Sequence, residues 1–540
     1  MEDKGEKKRI QAVAVLSVVY ALFFTVRTAE HIFSWGALVH FFCALAVSLV
    51  VLWAVTLVIA VLRQKVRAGR EEGGKSVSDR RFFLTAWGIY TLAVLPLWLA
   101  LFPGIFGYDS YKQMEFYTGA EAWSTHHPVF HTWLLGTVLT AGKTVFGSYN
   151  AGVALYTFLQ MLLTGSAFAY ALLFLRQCRV PKLVTGIAGG FLLIHPTICL
   201  LSFNTTKDTL FGVCFLYFLI ALLRLCDGEN GKREIVLLFV SGLLSCLLRN
   251  QGVYVMAVLF VILGLTAFLR WRKVPEKSGG MQGRKALLVV LLLVCALTKL
   301  FDLACTGIFR LQKGEVREML SVPMQQVAAV LIADREGTAV LDDTQRADAK
   351  TLIPDEALAV YEEDTADPVK GIFPSAQFQA YRGEYVKDYL SIVVQNPGIC
   401  ADAWFAMIRP YWDMSLARYR GLMAEYTGNC EEDYGIRENA VLPYVGHVLK
   451  VLAIYGDYER IPGVSALFNP GLYIWVAAGV LILSVVYGRK KALLACIPGL
   501  LYFCTLLLGP VALVRYLYPL LLTIPVLAGL LFENGREEKE

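Results

Sequence analysis

The chain has 540 residues, of which 56% are hydrophobic and only 17% are charged, and its formal net charge is +6. Soluble proteins carry about 25% charged residues because a hydrated surface needs them. This composition therefore excludes a set of soluble globules, a disordered chain and a disulfide-stapled secreted domain, and the absence of a long basic block in the sequence argues against nucleic-acid binding. Composition predicts an α-helical polytopic membrane protein.

Twelve apolar runs have about the length that a bilayer-spanning helix requires, which is about 20 residues. No cleavage site follows the first run, so it is predicted to be a retained helix rather than a signal peptide. The runs begin near Ile10, Ala37, Phe82, Ala151, Leu183, Thr209, Ile235, Gly252, Ala286, Gly471, Ala492 and Leu513.

The basic loops fix the predicted orientation, because Lys and Arg mark the cytoplasmic side of a membrane protein. All of the basic loops fall on one side only if the segment between residues 102 and 151 crosses the membrane an even number of times, most simply zero. Within that segment, residues 129–146 separate a threonine-rich face from an apolar face, which is typical of a helix lying at the membrane surface. We therefore predict about twelve spans in the plasma membrane, surface helices on the extracytoplasmic face, and both termini in the cytoplasm.

These spans divide the chain into four regions. Residues 1–81 form a transmembrane hairpin with a basic cytoplasmic loop, and residues 82–306 form a transmembrane core whose first outer loop covers 103–150. Residues 307–470 contain 15 Lys and Arg but 24 Asp and Glu, and this acidic excess favours a mainly helical domain outside the cell. Residues 471–540 form the last spans and a cytoplasmic tail. The outer domain contains two cysteines, Cys400 and Cys430, which either pair or stay free.

Polar and charged residues concentrate in four loops that this topology places on the outer face. Ionisable groups at membrane depth are costly, so they mark substrate paths or pair with one another. The first loop supplies Tyr108, Asp109, Gln113, His126, His127 and His131, the second Lys207 and Asp208, the third Arg249 and the fourth Arg515.

The order and spacing of these residues resemble the GT-C class of polyprenyl-phosphate-sugar glycosyltransferases, which includes the protein mannosyltransferases and the aminoarabinose transferases. In that class one acidic residue follows an early span and a second lies in the next outer loop, and Asp109 and Asp208 match these two positions. The run from His127-Pro128 to Phe146-Gly147 is similar to the proline-led surface helix of the class. The Tyr-Asp-Ser, His-Pro and Lys-Asp pieces are closer still to an uncharacterised bacterial branch. The resemblance covers residues 82–306 and the pair Arg515-Tyr516.

The resemblance implies an inverting transfer of a sugar from a polyprenyl-phosphate donor, held in the membrane lipid, to a cell-surface glycan, lipid or protein. Asp109 is the expected base for the attacking hydroxyl, and Lys207, Arg249 and Arg515 are expected at the leaving phosphate. Asp208 is expected to orient Lys207 or to contact the sugar, and the remaining polar residues of the first loop to bind substrate. Many members have two adjacent acids where this chain has Asp109-Ser110, so no metal or other cofactor is predicted.

Other interpretations stay open at this point. A transporter or flippase of lipid-linked saccharides would place ionisable groups near the bilayer midplane, where Lys299 and Asp302 are partial candidates. A polymerase or ligase of lipid-linked glycans would use the same outer loops. Structural roles are also open, since Asp109 could cap a helix that begins at Ser110 or Tyr111, and the turn-spaced His127 and His131 could bind a metal.

Overall fold

The computed structural model of the chain is built from helices, and β-structure in the residues that it describes is limited to isolated bridges. It describes residues 2–28, 35–68, 77–107, 109–228, 231–273, 279–414, 430–454, 457–461 and 463–533. The predicted all-helical class is confirmed.

Twelve helices precede residue 304 in the described part of the chain. They are α1 (Glu2–Thr28), α2 (Trp35–Ala68), α3 (Asp79–Ala100), α4 (Ser110–Thr118), α5 (Val129–Phe146), α6 (Tyr149–Gln177), α7 (Lys182–Ile194), α8 (Pro196–Leu201), α9 (Lys207–Cys226), α10 (Lys232–Leu248), α11 (Gln251–Lys273) and α12 (Gly279–Leu303).

Shorter helices dominate the middle of the chain, and three apolar helices follow near its end. They are α13 (Ser321–Arg335), α14 (Asp343–Leu352), α15 (Asp355–Ala359), α16 (Asp367–Ile372), α17 (Ser375–Ala380), α18 (Arg382–Gln395), α19 (Pro397–Met407), α20 (Cys430–Tyr434), α21 (Pro443–Leu449), α22 (Val464–Phe468), α23 (Pro470–Val486), α24 (Lys490–Leu506) and α25 (Tyr518–Leu530).

Seven helices in the described residues are long and apolar enough to cross a membrane, namely α1, α2, α3, α6, α9, α11 and α12. Helices also occur at the other five predicted positions, but α7, α10, α23, α24 and α25 have 13 or 17 residues each. Proline explains part of this difference in length. Helix α7 ends just before His195-Pro196, and Pro196 is the first residue of α8. The long apolar helices indicate a membrane-spanning protein, whereas twelve spans stay a prediction.

The centre of the helical bundle is formed by α6, α9 and α25. Of the seven long helices, α9 is the most deeply buried, because 83% of its apolar segment lies inside the protein. Leu216 of α9, Phe168 of α6 and Leu521 of α25 belong to one buried hydrophobic cluster. A 3₁₀ turn, Val514–Leu517, precedes α25. Residues at the start of α9 and just before α25 are therefore positioned by the buried centre of the fold.

The segment between α3 and α4 is joined to the segment before α9 by backbone hydrogen bonds. The Ile105 amide donates to the Phe203 carbonyl at 3.0 Å, and the Thr205 amide donates to the Ile105 carbonyl at 2.9 Å. Gly104 has a φ of +109°, and a Cβ atom there would lie 2.6 Å from the Thr157 side chain. Only glycine meets both conditions without strain, so this position brings the chain close to α6.

Helix α5 covers the first predicted surface segment and packs against α4 and the start of α6. Gly142 of α5 approaches the backbone of Gly152 so closely that a Cβ atom would clash. Trp133, Val145 and Phe146 on the other face are more than half exposed. The predicted helix over residues 129–146 is confirmed.

A separate hydrophobic cluster lies within the predicted outer domain. It contains Met324 and Leu331 of α13, Ile353 after α14, Phe378 of α17 and Ile392 of α18. Cys400 and Cys430 are both buried free thiols. Ser124 pairs with Gln312 in an isolated parallel bridge, so this region is attached directly to the first outer loop.

Candidate functional site

Five charged side chains from four separate loops form one cluster at one end of the bundle. The Arg515 Nη1 atom lies 3.3 Å from Asp208 Oδ2 and 3.7 Å from Asp109 Oδ2, so it connects the two carboxylates. Lys207 contacts Asp109, and Arg249 contacts Asp208. The cluster has three cations and two carboxylates, and this excess of positive charge favours an anionic ligand.

Asp109 is the accessible carboxylate of this cluster, with 30% of its side chain exposed. It precedes α4 in the N-cap position, as the sequence allowed, but its side chain makes no capping hydrogen bond and instead accepts one from Lys207 Nζ. Burial alone would raise the pKa of the Asp109 carboxyl, but the charges of Lys207 and Arg515 hold that pKa well below its usual range. Asp109 is therefore ionised at neutral pH.

Asp208 is the buried carboxylate, and its side chain has no solvent exposure. It stands in the first turn of α9, where Thr206 is the capping residue, and its Oδ2 atom accepts a hydrogen bond from the Thr206 hydroxyl at 2.9 Å. It contacts Arg249 and Arg515 rather than Lys207. Its position makes Asp208 an anchor for two arginines, since a buried carboxylate requires such partners.

The aromatic ring of Tyr516 contacts both arginines of the cluster. The Arg249 guanidinium lies 4.3 Å from the ring centre of Tyr516, and Arg515 lies 5.0 Å from the same ring. The Arg249 Nε atom also donates to Gln251 Oε1 at 3.0 Å. Guanidinium groups stack on aromatic faces in this way, so Tyr516 fixes both arginines although sequence reasoning gave it no role of its own.

His127 faces the same cluster from the N-terminal side of α5. Its Nδ1 atom lies 3.8 Å from Asp109 Oδ2, and its side chain is 8% exposed. Burial, followed by the positive charge of Lys207, lowers the pKa of His127 to about 3. His127 is therefore a neutral imidazole. His126 points elsewhere, with its Nδ1 atom 3.8 Å from Glu318 in the domain that follows α12.

His131 lies one turn further along α5 and is enclosed by hydrogen bonds. Its Nδ1 atom lies 2.9 Å from Gln113 Oε1, and its Nε2 atom lies 2.9 Å from the Tyr156 hydroxyl. Burial lowers the pKa of His131 to about 3, so the ring is neutral. Because an amide oxygen only accepts, Nδ1 donates to Gln113 and Nε2 accepts from Tyr156.

This arrangement leaves the amide nitrogen of Gln113 without a hydrogen-bond partner among the described residues, although Gln113 is 1% exposed. A buried donor of this kind is costly unless a ligand or water accepts from it. Gln113 stands one turn after Asp109 on α4, so its free N–H group belongs to the same helix face. Sequence reasoning missed Tyr156, which only the tertiary packing of α6 against α5 brings to His131.

Of the ten residues predicted for the site, nine lie in the described part of the chain and Tyr108 lies outside it. Asp109, Lys207, Asp208, Arg249 and Arg515 form the cluster, His127 borders it, and Gln113 and His131 follow on its α4 and α5 side. His126 is directed toward Glu318. Both ring nitrogens of His131 have protein partners, and the described residues contain no group of three or more His, Cys, Asp or Glu arranged to hold a metal ion.

One protein-family model matches residues 119–540, and its description is family of unknown function (DUF6020). The match covers most of the chain, so the protein belongs to this family. It includes Lys207, Asp208, Arg249 and Arg515, whereas Asp109 and Gln113 precede its first residue. Comparison with curated proteins and with solved structures gave no match.

Proposed function

We propose that this member of the DUF6020 family is a glycosyltransferase of the bacterial plasma membrane. It would move a sugar from a polyprenyl-phosphate donor to a cell-surface acceptor on the extracytoplasmic face. The observation that carries the proposal is the cluster itself: an accessible carboxylate, Asp109, lies beside Lys207 and Arg515, and the buried Asp208 links Arg515 to a third cation, Arg249. A base next to a phosphate-binding group is the combination that such a transfer requires.

The reaction follows from these positions. The acceptor oxygen attacks the anomeric carbon of the sugar while its proton passes to the Asp109 carboxylate. The bond between that carbon and the phosphate oxygen breaks, and the polyprenyl phosphate leaves with the electron pair. Arg515 and Lys207 stabilise the developing charge on the phosphate. The attack from the face opposite the leaving group inverts the configuration of the anomeric carbon.

The low pKa of Asp109 in the absence of donor implies that donor binding precedes proton transfer. A carboxylate held by Lys207 and Arg515 is a weak base. A donor phosphate competes for the same two cations and adds negative charge nearby, and both effects raise the pKa of Asp109. Asp109 thus becomes a stronger base only when the donor is bound, so it takes up few protons while no sugar is present for transfer.

The membrane arrangement of the proposal uses the finer topology predicted from the sequence, with about twelve spans and both termini in the cytoplasm. A helix coincides with each predicted span, and α5 packs against the first turns of α6 beside the cluster. These features support an active site at the outer surface of the bilayer, with the donor lipid tail in the membrane.

The observed charges do not favour the alternative transporter or flippase. Lys299 and Asp302 on α12 form a 3.4 Å pair whose side chains are 62% and 56% exposed, and they lie near the end of that helix rather than in a buried path. A polymerase or ligase of lipid-linked glycans shares the chemistry at Asp109 and differs in its acceptor.

The test uses the purified full-length protein in lipid nanodiscs with a radiolabelled polyprenyl-phosphate sugar. Asp109→Asn is expected to lower transfer or donor hydrolysis by about 10²- to 10⁴-fold, the usual contribution of a general base. Glu115→Gln is the matched control, because Glu115 is the next acid on α4 and pairs with Lys112 outside the cluster. Unchanged transfer in Asp109→Asn, or an equal loss in Glu115→Gln, would remove Asp109 as the base.

A further inference from the structure

A cavity of about 610 Å³ lies between α3, α6, α9 and α10, at the opposite end of the bundle from the charged cluster. It is lined by Phe83 near the start of α3 and by Lys232 at the start of α10. Asp109 follows the end of α3 and Arg249 follows the end of α10, so Lys232 and the charged cluster lie at opposite ends of α10. The volume is that of a small-molecule binding site.

The α10 wall of the cavity is amphipathic along its length. Lys232, Val236 and Val240 all line the cavity and follow one another at intervals of four residues, so they form one helix face. Val236 is 58% exposed and Val240 is 44% exposed. A cation at the base of an exposed aliphatic face is complementary to a molecule with an anionic head and an apolar tail.

Two tyrosines form the wall opposite α10. The rings of Tyr170 and Tyr217 stack with their centres 5.0 Å apart. The Tyr217 hydroxyl donates to Ser166 Oγ at 2.9 Å, so its polar end already has a partner. The rings therefore present apolar surface to the cavity.

The cations at this end of the bundle differ in whether they form an ion pair and in whether they border the cavity. Arg224 pairs with Glu234 at 3.7 Å, and Arg176 pairs with Asp79 at 4.0 Å. Lys232 and Arg233 are exposed and pair with no carboxylate among the residues that the structure describes. Their positive charge is available to a ligand.

We infer that this cavity binds an anionic phospholipid of the surrounding bilayer, with its phosphate at Lys232 and Arg233 and an acyl chain along Val236, Val240 and the tyrosine pair. Basic pockets between membrane helices on the positively charged side recognise lipid headgroups in this way. The inference rests on the cavity and its charges and is independent of any chemistry at Asp109. The lipid joins α10 to α3, α6 and α9 at the end where these helices are not held by the charged cluster.

Native mass spectrometry of the full-length protein, titrated with phosphatidylglycerol or phosphatidylcholine, tests the inference. We expect one phosphatidylglycerol to be retained and phosphatidylcholine to be lost. Lys232→Ala/Arg233→Ala is expected to weaken phosphatidylglycerol binding about thirty-fold, since each basic residue near a lipid headgroup contributes about fivefold. The control, Arg80→Ala/Lys490→Ala, removes two other exposed cations from the same end and is expected to bind normally.

A second variant tests the cavity separately from its charge. Val236→Trp fills the apolar wall, keeps both cations and is expected to abolish retention of the lipid. Equal binding of the two lipids, or normal phosphatidylglycerol binding by the Lys232→Ala/Arg233→Ala variant, would overturn the inference. So would binding of glycerol 3-phosphate as tightly as phosphatidylglycerol, because the apolar wall would then contribute nothing.

Discussion

At the residue scale, the two carboxylates of the charged cluster differ in their exposure to solvent. Asp109 is partly exposed and contacts a lysine, whereas Asp208 is fully buried and contacts two arginines. Ion pairs that include a buried carboxylate depend on each partner, since removal of one leaves uncompensated charge in a low-dielectric site. Asp208 therefore holds Arg515 in position beside Asp109.

Removal of Asp208 is predicted to destabilise the protein far more than removal of an exposed acid. Asp208→Ala removes the buried carboxylate that Arg249 and Arg515 share and is expected to cost about 3–5 kcal/mol of unfolding free energy. Asp355→Ala, which breaks the exposed pair with Arg335 outside the predicted spans, is expected to cost about 0–1 kcal/mol. Thermal unfolding in detergent measures both. Similar unfolding midpoints for the two variants would show that Asp208 does not anchor the arginines.

At the element scale, α5 is attached to α4 and α6 through a histidine that must stay neutral. His131 donates to Gln113 of α4 and accepts from Tyr156 of α6, and a protonated ring could not accept from Tyr156. Protonation would keep the bond from Nδ1 to Gln113 but remove the bond from Tyr156 to Nε2 and place a charge in a buried site. The docking of α5 is therefore sensitive to pH.

Acidification from pH 7.5 to pH 5 is predicted to lower the stability of the protein. The pKa of His131 is about 3 in the folded protein and about 6.5 in an unfolded chain, so between these values the unfolded state binds the proton and unfolding is favoured as pH falls. The expected contribution is about 2 kcal/mol at pH 5. Thermal unfolding of the wild type and of His131→Gln across this range measures it, and the variant should lose less stability on acidification. An identical pH slope for both proteins would refute the docking argument.

The helices were more predictable from the sequence than their contacts. Pro128 and Gly147 frame α5, and both bounds follow from the local preferences of these residues. In contrast, the contact of Arg515 with Asp208 joins positions about 300 residues apart, and no local pattern specifies it. The pattern around Gln325 and Gln326 favours a solvated helix face, but both are buried and donate to backbone carbonyls of Glu362 and Cys400. Amide side chains that satisfy buried carbonyls have the same sequence signature as exposed ones.

At the scale of the whole molecule, the two ends of the bundle carry different sets of charged residues. The charged cluster lies where α9 begins and α10 ends, and the exposed Lys232 and Arg233 lie where α10 begins. The predicted orientation keeps the loops rich in Lys and Arg in the cytoplasm and places the charged cluster on the opposite side. Sidedness therefore links the glycosyltransferase proposal to the lipid inference.

Labelling with a membrane-impermeant thiol reagent is predicted to separate the two sides of the protein. In a background without the twelve native cysteines, Glu336→Cys at the exposed end of α13 should react in intact cells. Arg80→Cys at the exposed start of α3 should react only after the membrane is opened. Both variants remove one exposed charge, so folding differences are small and total labelling in lysed cells serves as the control. Labelling of Arg80→Cys alone in intact cells would reverse the orientation and place Asp109 in the cytoplasm, where a donor presented on the outer leaflet could not reach it.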